Sequence, residues 1–276
     1  MTRTGGFFDD FGSGELDRSK WNVRTTGKTV NDEQQAYVDS SETIYIVDDV
    51  PGADGGALVL HSRYRPGYAT DDGRSFDFTS GRLDTRDRFQ FKYGSASVRM
   101  KLPAGAGLWP AFWAMGNGRW PDTGEIDIME YVGDPEWVSS AVHGPGYSGE
   151  AGLVNKLYFP DGNDATGWHT YTLDWAPDRL RFEVDGATVY RVTPPMAGFF
   201  GSWVFDNEKF LILNLALGGT YPFKTNGIRS PYYGIGEETV NRIKNDEAKV
   251  LIDWVRVDVP VGGPAPLSDS SIRSEG

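Results

Sequence analysis

Three carboxylates stand close together in the segment GEIDIME, residues 124–130. Its alternation of apolar and polar residues is typical of a half-buried β-strand. Successive side chains of a strand point to opposite faces, so Glu125 and Asp127 share one face and Glu130 falls on the other. A β-bulge at Ile128-Met129 would reset the alternation and return Glu130 to the side of the other two acids. We therefore predict a bulge at these two residues.

Two carboxylates at this spacing could hydrolyse a glycosidic bond. With the bulge, about 13 Å separates the Cα atoms of Glu125 and Glu130 along the strand. Side chains that lean toward each other would bring the carboxyl groups to about 5 Å, which suits a retaining glycosidase, whereas an inverting one needs ~6.5–9.5 Å. Asp127 lies between them, and clustered carboxylates resist simultaneous ionisation, so at least one should stay protonated near neutral pH. The acids alone are also compatible with a solvated strand face or a calcium site.

Short strand-like segments recur along the chain, and they must position these acids. Apolar or alternating runs bounded by turn residues occupy 57–61, 95–102, 173–176, 180–184, 189–192, 210–217 and 250–257. The pair Asp185-Gly186 between two of these runs predicts a tight hairpin, and the apolar run 210–217 predicts a central strand covered on both faces. One short helix is expected within 237–246. This pattern predicts an all-β fold, either a β-sandwich or a jelly roll.

The length of the chain favours one domain. Its 276 residues can bury a substantial core without disulfides. No linker-like segment interrupts residues 1–260, and we expect these to form a single catalytic domain. The remainder, 261–276, is rich in Gly, Pro and Ser and is predicted to be a mobile carboxyl-terminal tail.

The composition excludes several classes of function. There are no cysteines, which rules out thiol catalysis, disulfides and Cys-ligated zinc. The formal charge of −12 disfavours binding to nucleic acid or to an anionic membrane. The sequence contains no run of ~18 apolar residues, the length needed to span a bilayer. A neutral ligand fits this composition better, and we expect the protein to be a monomer.

Several motifs flank GEIDIME along the chain. They are NDEQQAY (31–37), SGR (80–82), GLWPAFW (107–113), WP (120–121), AVHGPGYSG (141–149), WHTY (168–171), LNLALGG (213–219) and DWVRV (253–257). In this order, and together with GEIDIME, they closely resemble glycoside hydrolase family 16, in particular its bacterial laminarinase-like members. The resemblance covers nearly the whole chain before the tail. It implies a jelly-roll sandwich of two curved antiparallel sheets, with a substrate cleft across the concave face.

The resemblance also assigns roles to the three acids. It implies that Glu125 is the nucleophile, that Glu130 is the general acid and base, and that Asp127 hydrogen-bonds Glu125 and orients it. Family members with the longer motif carry the bulge, whereas lichenase-type members with E-x-D-x-E lack it. Related glucan-recognition proteins that do not hydrolyse typically lose these acids, so their presence here favours an enzyme. This chemistry requires no cofactor.

Aromatic residues and one histidine are implied to line the cleft. Trp109 and Trp113 lie on one side of a strand and could stack on sugar rings, with core packing as the alternative for each. Trp120 leads directly into the catalytic strand and is expected in the cleft. His143, which is followed by Gly-Pro-Gly, resembles the family's cleft histidine near the acid and base.

The remaining site predictions come from the same resemblance. Asn31 and Arg82 match positions that hydrogen-bond glucose hydroxyls on the non-reducing side of the cleft. Asp10 and Asp253 match positions that hold a structural calcium ion on the convex side. For both aspartates, a hydrogen-bonded or solvated strand residue is the alternative.

These observations predict a retaining endo-β-1,3-glucanase that hydrolyses internal bonds of a β-glucan by double displacement. The same chemistry on mixed-linkage β-1,3-1,4-glucan or on a galactan is one alternative, and the acidic balance weakly disfavours a sulfated galactan. A carbohydrate-binding protein without activity is the second alternative. Because a polymer is met outside the cell, we expect the protein to be secreted. The first residues show no signal peptide, so a cytoplasmic location stays open.

Overall fold

Strands are the main regular element of the computed structural model, which describes residues 6–26 and 30–260. The tail predicted over 261–276 lies outside the described residues. The described strands are β1 (Gly6–Asp9), β2 (Asn22–Val23), β3 (Gln35–Tyr37), β4 (Ile44–Val47), β5 (Ala57–His61), β6 (Arg63–Ala69), β7 (Ser75–Ser80), β8 (Arg82–Asp84), β9 (Gly94–Lys101), β10 (Leu108–Gly116), β11 (Glu125–Glu130), β12 (Trp137–His143), β13 (Leu153–Tyr158), β14 (Trp168–Ala176), β15 (Arg179–Val184), β16 (Ala187–Val192), β17 (Lys209–Leu217) and β18 (Lys249–Asp258). The described helices are α1 (Pro194–Gly198), α2 (Thr220–Asn226) and α3 (Glu237–Lys244), with a 3-10 turn at Gly149–Ala151.

Burial follows the residue pattern of each strand. β14, WHTYTLDWA, alternates at every position between half-buried and buried side chains, and Leu173 and Trp175 are among the buried ones. β17, KFLILNLAL, is buried along its whole length, as its apolar run predicts for a central strand. The turn between β15 and β16 is the predicted hairpin, in which Asp185 and Gly186 both have positive φ, 51° and 78°.

Two large sheets form the two layers of the fold. The first has the strand order β16-β15-β14-β9-β18-β5-β4, with β1 also paired to β18, and the second has the order β13-β12-β11-β10-β17-β8-β2. Strands that are distant in sequence, such as β10 and β17, are antiparallel neighbours, as in a jelly roll. A small third sheet, β3-β7-β6, contains the parallel pair of β3 and β7.

One continuous core joins the two large sheets. Phe112, Ile126 and Leu211 of the second sheet pack in the same buried cluster as Val98 and Leu173 of the first. Burial of apolar surface between two sheets is the main contribution that stabilises such a sandwich. The predicted all-β jelly-roll sandwich is therefore confirmed.

Helices are short in the part of the chain that the structure describes. α3 confirms the helix expected within 237–246. Its first turn carries Glu237 and Glu238 and its last turn Arg242 and Lys244, an arrangement that opposes the helix dipole and stabilises both ends. None of the described helices is long and apolar enough to cross a membrane.

Candidate active site

The segment with the three acids forms β11, and it contains the predicted bulge. Asp127 pairs with Ala141 of β12 and Glu130 pairs with Ser139, so three residue steps along β11 lie opposite only two steps along β12. Inside this irregularity the hydroxyl of Ser140 donates a hydrogen bond of 2.9 Å to the carbonyl oxygen of Ile128. The bulge predicted at Ile128-Met129 is therefore confirmed.

The bulge separates the side chains of β11 into two groups. The apolar ones, Ile126, Ile128 and Met129, belong to the buried core. The acidic ones lie close enough to act on one another, since the charges of Asp127 and Glu130 both raise the pKa of Glu125. The strand thus contributes its apolar side chains to the core and its three acids to one polar cluster.

His143 lies at the end of β12, directly opposite Glu125. Its Nε2 is 3.2 Å from Oδ2 of Asp127 and 3.9 Å from Oε1 of Glu125. The resemblance placed this histidine near Glu130, but its direct contacts are with the other two acids. The cause is the strand pairing, which sets His143 beside the start of β11 rather than its end. His143 therefore lies closest to Asp127, and the nucleophile predicted at Glu125 is its next nearest acid.

A glycine packs against the other side of the imidazole. A Cβ atom added at Gly152 would lie 2.3 Å from Cε1 of His143 and 2.6 Å from its Nδ1, so a methyl group there must push the ring. Gly152 has φ of −53°, which every residue tolerates. The backbone conformation at residue 152 thus allows alanine, but the added methyl group would clash with the imidazole ring of His143.

Gly152→Ala is expected to lower kcat/KM by roughly 10- to 100-fold, because a displacement of about 1 Å in a catalytic group has effects of that size. The matched control is Gly55→Ala, whose added Cβ meets no atom within 4 Å and which should keep wild-type kinetics. The measurement is steady-state hydrolysis together with the thermal midpoint of each variant. Unchanged kcat/KM in Gly152→Ala would contradict the role given to His143.

Trp109 contacts the third acid of the cluster. Its indole Nε1 donates a hydrogen bond of 3.1 Å to Oε1 of Glu130. The rest of the side chain is buried and packs edge-on against Tyr221, with ring centroids 5.5 Å apart. Trp109 therefore packs in a buried cluster, which was the alternative to sugar stacking, and it also contacts Glu130 through its indole N–H.

Trp113 belongs to a group of side chains beside β11 that we call the polar wall, which also contains Arg82, Asn214 and Tyr37. Its indole donates a hydrogen bond of 2.7 Å to Oδ1 of Asn214 on β17, and the guanidinium of Arg82 lies 5.1 Å from the centre of its ring. The amide of Asn214 in turn donates to the hydroxyl of Tyr37 at 3.1 Å. The structure thus places Trp113 beside Arg82, Asn214 and Tyr37, and the roles of Trp113 and Arg82 in sugar binding stay predictions.

The NDEQQAY segment supplies further polar groups to this wall. Glu33 accepts a hydrogen bond of 2.8 Å from the amide of Gln35, and burial raises the pKa of Glu33 while the charge of Arg82 lowers it. Asn31 is exposed, and its carbonyl oxygen accepts a hydrogen bond of 2.7 Å from the backbone N–H of Thr220. A direct role of Asn31 in sugar binding stays a prediction.

Trp120 lies in the loop that leads into β11. Its side chain is 44% exposed, and its interaction with Glu125 lowers the pKa of that carboxyl group, against the larger effect of burial. Its ring centre is 6.5 Å from that of His143. The structure therefore places Trp120 at the rim of the acid cluster, as predicted, with an exposed aromatic face.

A buried lysine that sequence reasoning missed fixes the start of β11. The ammonium group of Lys209 donates hydrogen bonds of 2.7 Å to the carbonyl oxygen of Thr123 and of 2.7 Å to Oδ1 of Asn207. Burial lowers the pKa of Lys209 to about 7. The signal was present in the sequence, because a lysine that opens an apolar strand must find partners for its donors.

Burial controls the protonation of the three acids. It raises the pKa of Glu125 to about 8, with the charges of Asp127 and Glu130 adding to the effect and His143 opposing it. Burial raises the pKa of Asp127 to about 8 and that of Glu130 to about 8. Such coupled carboxyls share protons, so the cluster keeps at least one proton at neutral pH, as predicted.

Two sets of residues could be considered for a metal ion. Oxygens of Glu125 and Asp127 and a nitrogen of His143 lie within 4.8 Å of one another, but the same atoms are those of the acid cluster. Asp10 and Asp253, predicted for calcium, line one pocket on the first sheet. Whether Asp10 and Asp253 could hold a hard cation depends on which protein groups their carboxylate oxygens already contact.

The predicted calcium residues are already engaged with protein groups. Oδ1 of Asp253 accepts a hydrogen bond of 2.9 Å from the backbone N–H of Asp54, and its Oδ2 forms an ion pair with the guanidinium of Arg99. Asp10 is exposed and accepts a hydrogen bond of 3.1 Å from the N–H of Gly12. Because Arg99 neutralises Asp253, this pair does not form the anionic oxygen cage that calcium prefers. Calcium at this position stays a prediction that Arg99 disfavours.

The sandwich and its coupled acids define a class of hydrolase that works with paired carboxylates. The family model for glycosyl hydrolases family 16 matches residues 19–255. The chain belongs to this family.

Relatives and solved structures agree with this assignment. The chain is 31% identical over 270 residues to glucan endo-1,3-beta-glucosidase A1 from Niallia circulans, which covers 90% of this chain and 37% of that protein. It is 31% identical over 257 residues to a beta-glucanase from Rhodothermus marinus, covering 89% of this chain and 81% of that one. The laminarinase catalytic domain from Thermotoga maritima MSB8 has a TM-score of 0.78 and 31% identity, over 95% of this chain and 100% of that one. The chain thus spans only part of the first relative and most or all of the other two.

Proposed function

We propose that this protein is a retaining endo-β-1,3-glucanase that cleaves internal bonds of a β-glucan by double displacement. The observation that carries the proposal is the bulge in β11, which brings Glu130 into one cluster with Glu125 and Asp127. A retaining glycosidase uses one carboxyl group as nucleophile and a second as acid and then base. Two acids on one strand, with a third between them, supply both.

In the first step Glu125 attacks the anomeric carbon while Glu130 protonates the departing glycosidic oxygen. Glu125 must be ionised, and its anion is favoured by His143, whose Nε2 is 3.9 Å from Oε1, and by its interaction with Trp120. Glu130 must carry a proton. Burial, and then the charge of Asp127, raise the pKa of Glu130 to about 8. The pKa of Glu125 is raised to about 8 as well, so the coupled acids share protons, and the reactive form is the one with the proton on Glu130.

In the second step Glu130, now ionised, removes a proton from water, and that water attacks the anomeric carbon and releases Glu125. The indole of Trp109, 3.1 Å from Oε1 of Glu130, stabilises the carboxylate between the two steps. Oδ2 of Asp127 is 3.2 Å from Nε2 of His143 but forms no hydrogen bond with a described residue. Asp127 acts on Glu125 through its charge, which raises the pKa of Glu125, and the hydrogen bond predicted from Asp127 to Glu125 stays part of the proposal. Two inversions at the same carbon leave the configuration of the product unchanged.

A β-1,3-linked glucan is the proposed substrate. The relative from Niallia circulans is named a glucan endo-1,3-beta-glucosidase, and the solved domain from Thermotoga maritima is a laminarinase. The wall of Arg82, Trp113 and Asn214 offers donors, an acceptor and an aromatic surface to a neutral sugar. Mixed-linkage glucan and galactans remain the alternatives within the same chemistry.

On a panel of laminarin, lichenan and agarose, we expect laminarin to be hydrolysed with the highest kcat/KM and to yield short oligosaccharides from the first minutes. Early oligosaccharides report internal cleavage, whereas glucose alone would indicate attack at chain ends. Proton NMR of the first products should show the β anomer. An initial α product would contradict retention, and faster hydrolysis of lichenan or agarose would change the substrate.

A binding protein without activity is the second candidate class. It would need the polar wall and the exposed aromatic residues but not three acids with raised pKa values, so the acid cluster favours an enzyme. Oligosaccharide binding with no release of reducing ends would select the binding protein.

We also propose that the protein acts outside the cell, where a polymer is encountered, and that it is a monomer. Activity in the culture medium and sedimentation at micromolar concentration test these two statements.

A further inference from the structure

Two adjacent phenylalanines stand out on the surface of the protein. The side chain of Phe199 is 84% exposed and that of Phe200 is 55% exposed, directly after α1. Their ring centroids are 5.1 Å apart with the planes at 79°. Large apolar side chains grouped in this way mark binding sites more often than isolated ones do.

The pair is held rigidly against the loop that follows His143. The backbone N–H of Ser202 donates a hydrogen bond of 3.1 Å to the carbonyl oxygen of Pro145, and the hydroxyl of Tyr147 donates one of 2.7 Å to the carbonyl oxygen of Ser202. The two backbones also touch, because a Cβ atom added at Gly146 would lie 2.4 Å from the carbonyl oxygen of Phe200. At most about 11 Å of chain separates His143 from Gly146, so the pair lies beside the acid cluster.

The strand order tells on which side of the acids the pair lies. β11 is flanked on one side by β10, β17 and β8, where Arg82 is located, and on the other by β12 and β13. The two carboxyl groups of a retaining glycosidase flank the scissile bond. They are arranged along β11, so the sugar chain must cross this strand from one flank to the other. The resemblance implies that Arg82 is on the non-reducing side, and on this assignment the loop at 144–147 and both phenylalanines are on the side of the leaving group.

We propose that Phe199 and Phe200 form a sugar-binding platform for the part of the glucan that departs. This inference rests on the proposed function and adds a subsite to it. The occupant is the β-glucan chain itself, because the backbone of the pair contacts the loop at 144–147, which directly follows His143 of the acid cluster. Flat apolar faces of sugar rings pack against exposed aromatic rings, and each such contact excludes water from both.

The test compares substrates that do and do not reach the platform. In the double variant Phe199→Ala/Phe200→Ala we expect kcat/KM for laminarin to fall about 10-fold, the effect of losing two aromatic contacts. An aryl β-laminaribioside has only a small phenol on the leaving side, so its kcat/KM should stay unchanged. Because both side chains are exposed, the thermal midpoint should also stay unchanged.

Phe8→Ala is the matched control, since Phe8 is 52% exposed on β1 of the first sheet. It should leave both substrates unaffected. Equal kcat/KM for wild type and double variant on laminarin, or an equal loss on both substrates, would overturn the platform. A change in sedimentation without a change in kcat/KM would also overturn the platform, because the two phenylalanines would then form a contact between two copies of the chain. If the wild type released no reducing ends from any glucan, the proposed function would fail before the platform was tested.

Discussion

Glu125→Ala is expected to lower kcat for laminarin by roughly 10⁴- to 10⁶-fold, because removal of a nucleophile leaves only binding and the remaining electrostatic stabilisation. Glu125→Gln should lose as much, since an amide keeps the shape of the side chain but cannot attack. The measurement is release of reducing sugar over hours, with the thermal midpoint as evidence of folding. Glu15→Gln, in an exposed acid outside the cluster, is the control and should retain full activity.

A small anion separates a nucleophile from a merely structural acid. With an activated aryl glycoside, azide should restore turnover to Glu125→Ala by entering the space that the carboxylate leaves. Azide then attacks directly, so the product should be the α-glycosyl azide, with inverted configuration. A β product, or more than a few per cent of wild-type activity without azide, would contradict the assignment of Glu125.

The second large effect is expected for Glu130→Ala, which should lower kcat for laminarin by roughly 10²- to 10⁴-fold, the usual contribution of a general acid and base. An activated aryl glycoside needs no protonation of its leaving group, so its first step should survive. The glycosyl-enzyme would then accumulate after a burst, because no base remains to activate water. Azide should release it as the β-glycosyl azide, the opposite configuration from that of Glu125→Ala.

The pH profile gives an independent reading of the same residue. Glu130 acts first as an acid, so activity should fall as pH rises through its pKa, which burial raises to about 8. In Glu130→Gln this alkaline limb should disappear from the residual hydrolysis of laminarin, whose leaving group does need protonation. A limb that persists unchanged would assign the titration to another group of the coupled cluster.

Much of the fold could be predicted because its determinants are local in sequence. The alternation in β14, the apolar run of β17 and the Asp185-Gly186 turn each dictate a strand or a hairpin from neighbouring residues alone. The bulge was also local, since three acids can share a side of GEIDIME only if one residue is extra. A short motif was therefore sufficient to predict the central feature of the site.

The contacts around the acids were harder to predict, because they join segments far apart in the chain. Asn214 meets Trp113 only through the pairing of β10 with β17. Lys209, at the start of β17, reaches Thr123 in the loop before β11. The neighbours of His143 follow from strand register, which no local pattern sets. Arg99 on β9 occupies the carboxylate of Asp253 on β18, a pairing that a matched aspartate alone could not reveal.

The central claim is that Glu125 forms the covalent intermediate, and trapping that intermediate tests it most directly. A 2-deoxy-2-fluoro laminaribioside with an activated leaving group slows both steps, but it slows hydrolysis of the glycosyl-enzyme most. After digestion, mass spectrometry should find one sugar adduct per chain, on the peptide that contains residues 124–130, with Glu125 as the modified residue. An adduct on Glu130 or on a peptide elsewhere in the chain would contradict the account, and so would an intact enzyme that turns over the inhibitor with no adduct.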